Sequence, residues 1–122
     1  VAANKGTGNW TTIATAELGV PSTLIANALF ARFTSSFKTQ RQKVAAIFEH
    51  SAPVQTMEVG DLLKAYHFAR IINHYQGFQL ISEAAKTYQW NIALSELARV
   101  WTNGCIIKYD LMKKLVPPSK GI

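Results

Sequence analysis

The chain has 122 residues, of which 48% are hydrophobic and 16% charged, a balance that fits one folded domain and excludes a disordered chain. Its 13 Lys and Arg against 7 Asp and Glu give a formal net charge of +6 and a pI near 9.7, which suits an anionic partner: a phosphorylated small molecule, nucleic acid or an acidic surface. The basic residues are scattered from Lys5 to Lys120, with no polybasic arm and no aromatic interleaving, so a nucleic-acid reading rests on net charge alone and no nucleic-acid partner is expected.

The apolar spacing is helical along nearly the whole chain. Asn9 is placed to cap a first helix from Trp10 to about Leu18, and Gly19 to stop it. Pro21 suits the first turn of a second helix, in which Leu24, Ala28 and Arg32 share a stripe beside Ile25, Leu29 and Phe33. A third helix is predicted from about Lys38 to Phe48, with Val44, Ile47 and Phe48 facing inward, and the stretch HSAPVQTM at 50–57 reads as a loop. The longest element runs from about Val59 to Tyr88, with one apolar stripe through Leu62, Tyr66, Ala69 and Ile72 that continues at Tyr75, Phe78, Ile81 and Ala85. About 28 residues at 1.5 Å each make a rod of roughly 42 Å. A compact globule of this length is only some 35 Å across, so the rod is expected to lean on further chain or on a partner subunit. Gly77, in mid-rod, is read as a close helix crossing. Asn91 is the expected cap of a fifth helix with Leu94, Leu97, Ala98, Trp101 and Cys105 on its inner face, and Asp110 to Val116 forms a short last helix ended by Pro117-Pro118. The fold class is all-α: a multi-helix domain with one long central helix.

Few residues carry chemistry. Cys105 is the only cysteine, which excludes an internal disulfide and a cysteine-based zinc site, makes an intracellular origin the default, and reads as a packed thiol. His67 and His74 are seven residues apart, whereas a zinc pair on a helix needs four; with His50 they read as structural, and no metal site is expected. Glu83 and Glu96 fall on separate helices and are not marked as a catalytic pair. No apolar run approaches the roughly 20 residues needed to span a bilayer, so no membrane partner is expected. The absence of a signal peptide and of an initiating Met predicts a piece of a longer, cytoplasmic protein.

Two features point to an anion. The stretch NKGTGNW, residues 4–10, brings Lys5 and Thr7 to a helix start whose free N–H groups favour negative charge; it is not a Walker A loop, and an ordinary glycine-rich cap fits its composition as well. Arg32 occupies a stripe position where an apolar residue is expected, either snorkelling at the helix end or meeting an anion there.

These residues also carry a resemblance. The block NKGTGNWTTIATAELGVPSTLIANALFARFTSSFKTQR resembles the KGTGKWT…GVP…FAR…SS.K..R block of the decarboxylating 6-phosphogluconate dehydrogenase family. Downstream, AYHFARIINHYQGFQLISEAA is similar to that family's long helix around YAQGF, and VWTNGCIIKYDLM to its W..GCIIRS segment. The match runs in order from about Asn4 to Leu115.

The resemblance implies a partial C-terminal helical domain over residues 1–122. The parent would be a homodimeric enzyme of the pentose phosphate pathway that oxidises and decarboxylates 6-phosphogluconate with NADP to give ribulose 5-phosphate. The Rossmann cofactor domain, the HNGIEY-like catalytic stretch and the C-terminal tail of the family are absent from this chain, so it carries no catalytic or cofactor-binding residue and is expected to be inactive alone. By the resemblance Lys5, Thr7 and Arg32 are substrate-phosphate ligands. Asn9 stands where the family has lysine, and Lys108 where it has arginine, a change that loses any bidentate contact. A second reading makes the chain a structural, dimerising helical module without a ligand of its own, with exposed apolar faces that self-associate.

Overall fold

In the computed structural model, which describes residues 5–48, 56–108 and 110–115, every regular element is a helix, as the periodicity predicts. Six are present among the described residues: α1 (Thr7–Glu17), α2 (Thr23–Ser36), α3 (Lys38–Ala45), α4 (Val59–Thr87), α5 (Leu94–Val100) and α6 (Asp110–Leu115). Helix α1 packs on α2, α2 on α4, and α5 on α6.

Helix α1 opens three residues earlier than its sequence suggests. Gly6 takes φ 90°, a left-handed conformation open to glycine at little cost, and the chain enters the helix there. Asn9 is therefore inside the first turn and is not the cap residue. The far end behaves as expected. Gly19 has φ 65°, its N–H donates to the Ala16 carbonyl, and the Val20 N–H donates to the Thr15 carbonyl at 2.9 Å, the double closure of a Schellman motif.

Helix α2 starts at Thr23, with Pro21 outside it and Ser22 as N-cap residue. The Ser22 hydroxyl is buried and makes no hydrogen bond among the described residues. The orphan amides of this helix end are satisfied from elsewhere. Gln76, 6% exposed in the middle of α4, accepts with Oε1 from the Leu24 N–H at 3.1 Å and the Ile25 N–H at 3.3 Å. Its Nε2 donates to Thr23 Oγ1 at 3.3 Å. A side chain from a neighbouring helix thus does the work of an N-cap.

The central rod is present as a 29-residue helix, roughly 44 Å long at 1.5 Å per residue. Its first third, from Val59 to Phe68, is exposed throughout, while from Ala69 to Ala85 most positions are half-buried. A Cβ built on Gly77 meets nothing within 4 Å, so the close crossing expected there is absent. The close approach is instead at Gly8, where a Cβ would lie 3.1 Å from Leu29 Cδ1 and α1 meets α2.

Two further expectations are corrected. Ala93 precedes α5 as its N-cap residue in place of Asn91, and the helix ends at Val100, leaving Trp101 at its C-cap and Cys105 in the turns beyond. Of the inner face assigned there, Ala98 is 1% exposed, Leu97, Trp101 and Cys105 are half-buried, and Leu94 lies on the surface. Helix α3 buries no residue at all, and Val44, Ile47 and Phe48 face solvent, because no other described element covers that side. The buried apolar residues among those described are Val20, Leu29, Ala98 and Met112. His50 and most of the predicted 50–57 loop, and Val116 to Pro118, lie outside the described residues.

Candidate functional site

The junction of α1 and α2 forms a cleft of about 340 Å³. One wall is Lys5, Thr7 and Gly8; the other is Ile25, Ala28, Leu29 and Arg32. The three residues singled out from the sequence, Lys5, Thr7 and Arg32, therefore line one space, although Arg32 is 27 positions from Lys5. Local structure explains the arrangement. Residues 25, 28, 29 and 32 follow the i, i+3, i+4, i+7 spacing of one helix face. Leu29, 8% exposed, is the buried anchor of that face against Gly8. Arg32 stands one turn beyond Ala28 and is exposed, at the rim. The stripe that reads as a core seam is thus partly the wall of a cleft.

The electrostatics favour an anion. Among the described residues two cationic side chains line the cleft and no carboxylate does. The Lys5 ammonium has no carboxylate within salt-bridge distance among the described residues, and the Thr7 hydroxyl makes no hydrogen bond among them. Thr7 and Gly8 are the first two residues of α1, and no side chain caps that end. Their amides belong to the first turn, which has no intrahelical acceptor and carries the positive end of the helix dipole, worth about half an elementary charge. The hydroxyls of Thr11 and Thr12 turn back onto the Thr7 and Gly8 carbonyls at 2.9 and 3.0 Å and do not occupy the amides. A guanidinium fork, an ammonium point charge, a hydroxyl and backbone N–H groups together match a tetrahedral oxyanion such as a phosphate monoester. Among the described residues the lining has no Asp, Glu, His or Cys, so they can bind and orient but supply no acid–base pair.

The remaining candidates sit elsewhere. His74 lies on α4 with its Nδ1–H donating to the Arg70 carbonyl at 2.7 Å, and His67 packs beside the Tyr66 ring. Among the described residues no three His, Cys, Asp or Glu side chains come together. Across α2 a second hollow of about 520 Å³ shares Ile25 and Ala28 with the first; Arg70 lies over the Tyr66 ring there, 5.6 Å from its centroid, and donates to the Lys108 carbonyl at 3.4 Å. Sequence reasoning missed Gly8 as a packing site, and it missed Gln76. The signal for Gln76 was available: it is four residues after Ile72 on the buried stripe of α4, where an amide needs partners.

Comparison with known proteins agrees with this architecture. Residues 1–120 match the family model described as 6-phosphogluconate dehydrogenase, C-terminal domain. Similar curated proteins include the decarboxylating 6-phosphogluconate dehydrogenases of Staphylococcus epidermidis strain RP62A, 40% identical, and Staphylococcus aureus strain N315, 38% identical, each over an alignment of 121 positions that covers 93% of this chain. The chain spans 25% of the length of these relatives. With its all-helical architecture and a match over nearly its whole length, the chain belongs to the 6-phosphogluconate dehydrogenase family, within the C-terminal domain of that family.

Proposed function

We propose that the α1–α2 cleft holds the phosphate group of 6-phosphogluconate, and that the chain works as part of a cytoplasmic, homodimeric enzyme that oxidatively decarboxylates this substrate to ribulose 5-phosphate with NADP. The observation that carries this reading is the convergence of Lys5, Thr7 and Arg32 on one cleft at the start of α1, with no carboxylate among the described residues of its walls. In the bound state the Arg32 guanidinium would pair with two phosphate oxygens, Lys5 would supply the second cation, and the Thr7 hydroxyl with the first-turn amides would hydrogen-bond the remainder. Fixing the phosphate end orients the rest of the sugar acid. Binding energy gathered far from the reacting carbon is then available for positioning it.

The described residues are helices and their connections, so they offer no strand–turn–helix seat for a dinucleotide. NADP would be held outside this helical unit, and no step here is routed through it. On this reading the 122-residue chain alone turns over no substrate. Robust NADPH production by the purified chain would contradict that.

The decisive variant is Arg32→Ala in a protein that carries the cofactor-binding part as well. Loss of a charge-assisted hydrogen-bonded contact is worth about 1.5–3 kcal/mol, so the KM for 6-phosphogluconate should rise roughly 10- to 150-fold. The KM for NADP should stay within about twofold. Equal effects on both would remove Arg32 from the phosphate site.

A second role, self-association, is favoured by a separate observation: Ile47, Phe48, Leu62, Leu63, Tyr66 and Phe68 are all more than half exposed on α4 and the segment after α3. Apolar surface of this extent is the raw material of a subunit interface.

A further inference from the structure

We propose that Gln76 is a positioning residue for the phosphate cleft, acting through α2; this rests on the reading of that cleft as the 6-phosphogluconate phosphate site. The polar end of Gln76 is what the site uses. Oε1 takes the N–H groups of Leu24 and Ile25, and Nε2 reaches Thr23 Oγ1, so all three polar contacts fall on the first turn of one helix. The residue with the natural right to that position, Ser22, makes no cap bond.

The consequence is mechanical. Ile25, whose amide Gln76 holds, is itself a wall of the cleft. Arg32 lies seven residues further on the same face, roughly 10 Å along the axis at 1.5 Å per residue. A helix moves as a rod, so the angle set at Thr23–Ile25 fixes where the guanidinium arrives. At its other end α2 runs into α3, which buries nothing and meets it through an exposed hydrogen bond, Arg41 Nη2 donating to the Ser35 carbonyl at 3.0 Å. The second restraint is the apolar contact of Leu29 with Gly8, about which the rod can pivot. Gln76 removes that pivot. The acceptor half of the amide takes two N–H groups and carries most of the hold, and the donor half adds a bond to a hydroxyl.

The test is steady-state kinetics of the protein carrying both this domain and a cofactor-binding part. Gln76→Leu keeps the volume and removes the bonds. It should raise the KM for 6-phosphogluconate about tenfold or more, since displacement of a binding group by even 1 Å is costly. The KM for NADP should stay unchanged and kcat should change less than about threefold. Gln76→Glu keeps the acceptor at a helix N-terminus and should restore KM to within about threefold of the parent. A merely structural residue would lower the amount of active protein in both variants and leave the KM of the surviving fraction untouched; that result overturns the proposal. Should Gln76→Leu fail to fold, Thr23→Val breaks only the donor contact and should still raise KM about two- to threefold, an unchanged KM overturning the proposal. Arg32→Ala in the same series separates the two ideas. A raised KM there with a normal KM in Gln76→Leu ends the positioning role and leaves the phosphate site standing, whereas a normal KM in Arg32→Ala ends both.

Discussion

Gly8 sits close against α2. A Cβ at that position would come within 3.1 Å of Leu29 Cδ1, so the end of that side chain would have to give by a few tenths of an ångström, toward the cleft it lines. Two effects oppose each other in Gly8→Ala. Overpacking costs typically about 1–3 kcal/mol, whereas replacing glycine inside a helix gains about 1 kcal/mol. Stability should therefore fall only modestly, by no more than about 2 kcal/mol in urea denaturation. Anion binding should fall further, because the added methyl shifts the Leu29 wall and crowds the first-turn amides at once. A variant that loses stability yet binds phosphate normally would show that Gly8 serves packing alone. Lys5, Thr7 and Arg32 were legible as candidates because their types are unusual where they stand: a lysine and a threonine in a glycine-rich helix start, and an arginine on an apolar stripe. That they share a cleft was not legible from spacing. It depends on α1 lying across α2, a tertiary fact. Gln76 stood out as an amide on a buried stripe, but its partners were hidden for the same reason, since they are 51 to 53 residues away.

At the level of elements, the 3.6-residue period located every helix, and the longest most securely. The boundaries moved where a backbone conformation outranked a side-chain preference: Gly6 at φ 90° opens α1 before Asn9 can cap it, and Ala93 precedes α5 in place of Asn91. Faces were harder to assign than helices. Amphipathic spacing says which residues want cover but not whether cover is present, and Val44, Ile47 and Phe48 have none here. Gly77 was read as a crossing because glycine is costly in a helix, yet a side chain there would meet open space. Gly77→Ala should accordingly stabilise α4 by about 1 kcal/mol, seen as a higher denaturation midpoint with unchanged slope. A loss of stability would mean that another part of the assembly presses on this position.

The whole molecule shows more surface than its mass calls for. A compact monomer of 13.5 kDa exposes roughly 6500 Å² by the usual scaling, whereas this chain exposes 9957 Å². The excess includes large apolar side chains on the exposed third of α4, and the chain accounts for only 25% of the length of its relatives. Both facts favour the same expectation: the chain should self-associate in solution. Sedimentation velocity across a concentration series should show species heavier than 13.5 kDa, and a clean monomer at high concentration would count against it. None of this moves the cleft, whose walls lie between helices that pack on each other. The account turns on that cleft being a phosphate site, and the most direct measurement is a binding titration of the chain with 6-phosphogluconate beside gluconate, followed through backbone amide shifts. The predicted result is saturable shifts at Lys5, Thr7, Gly8 and Arg32 with 6-phosphogluconate, none with gluconate, and their loss in Arg32→Ala. Equal shifts with both ligands, or shifts confined to the hollow around Arg70 and Trp101, would contradict it.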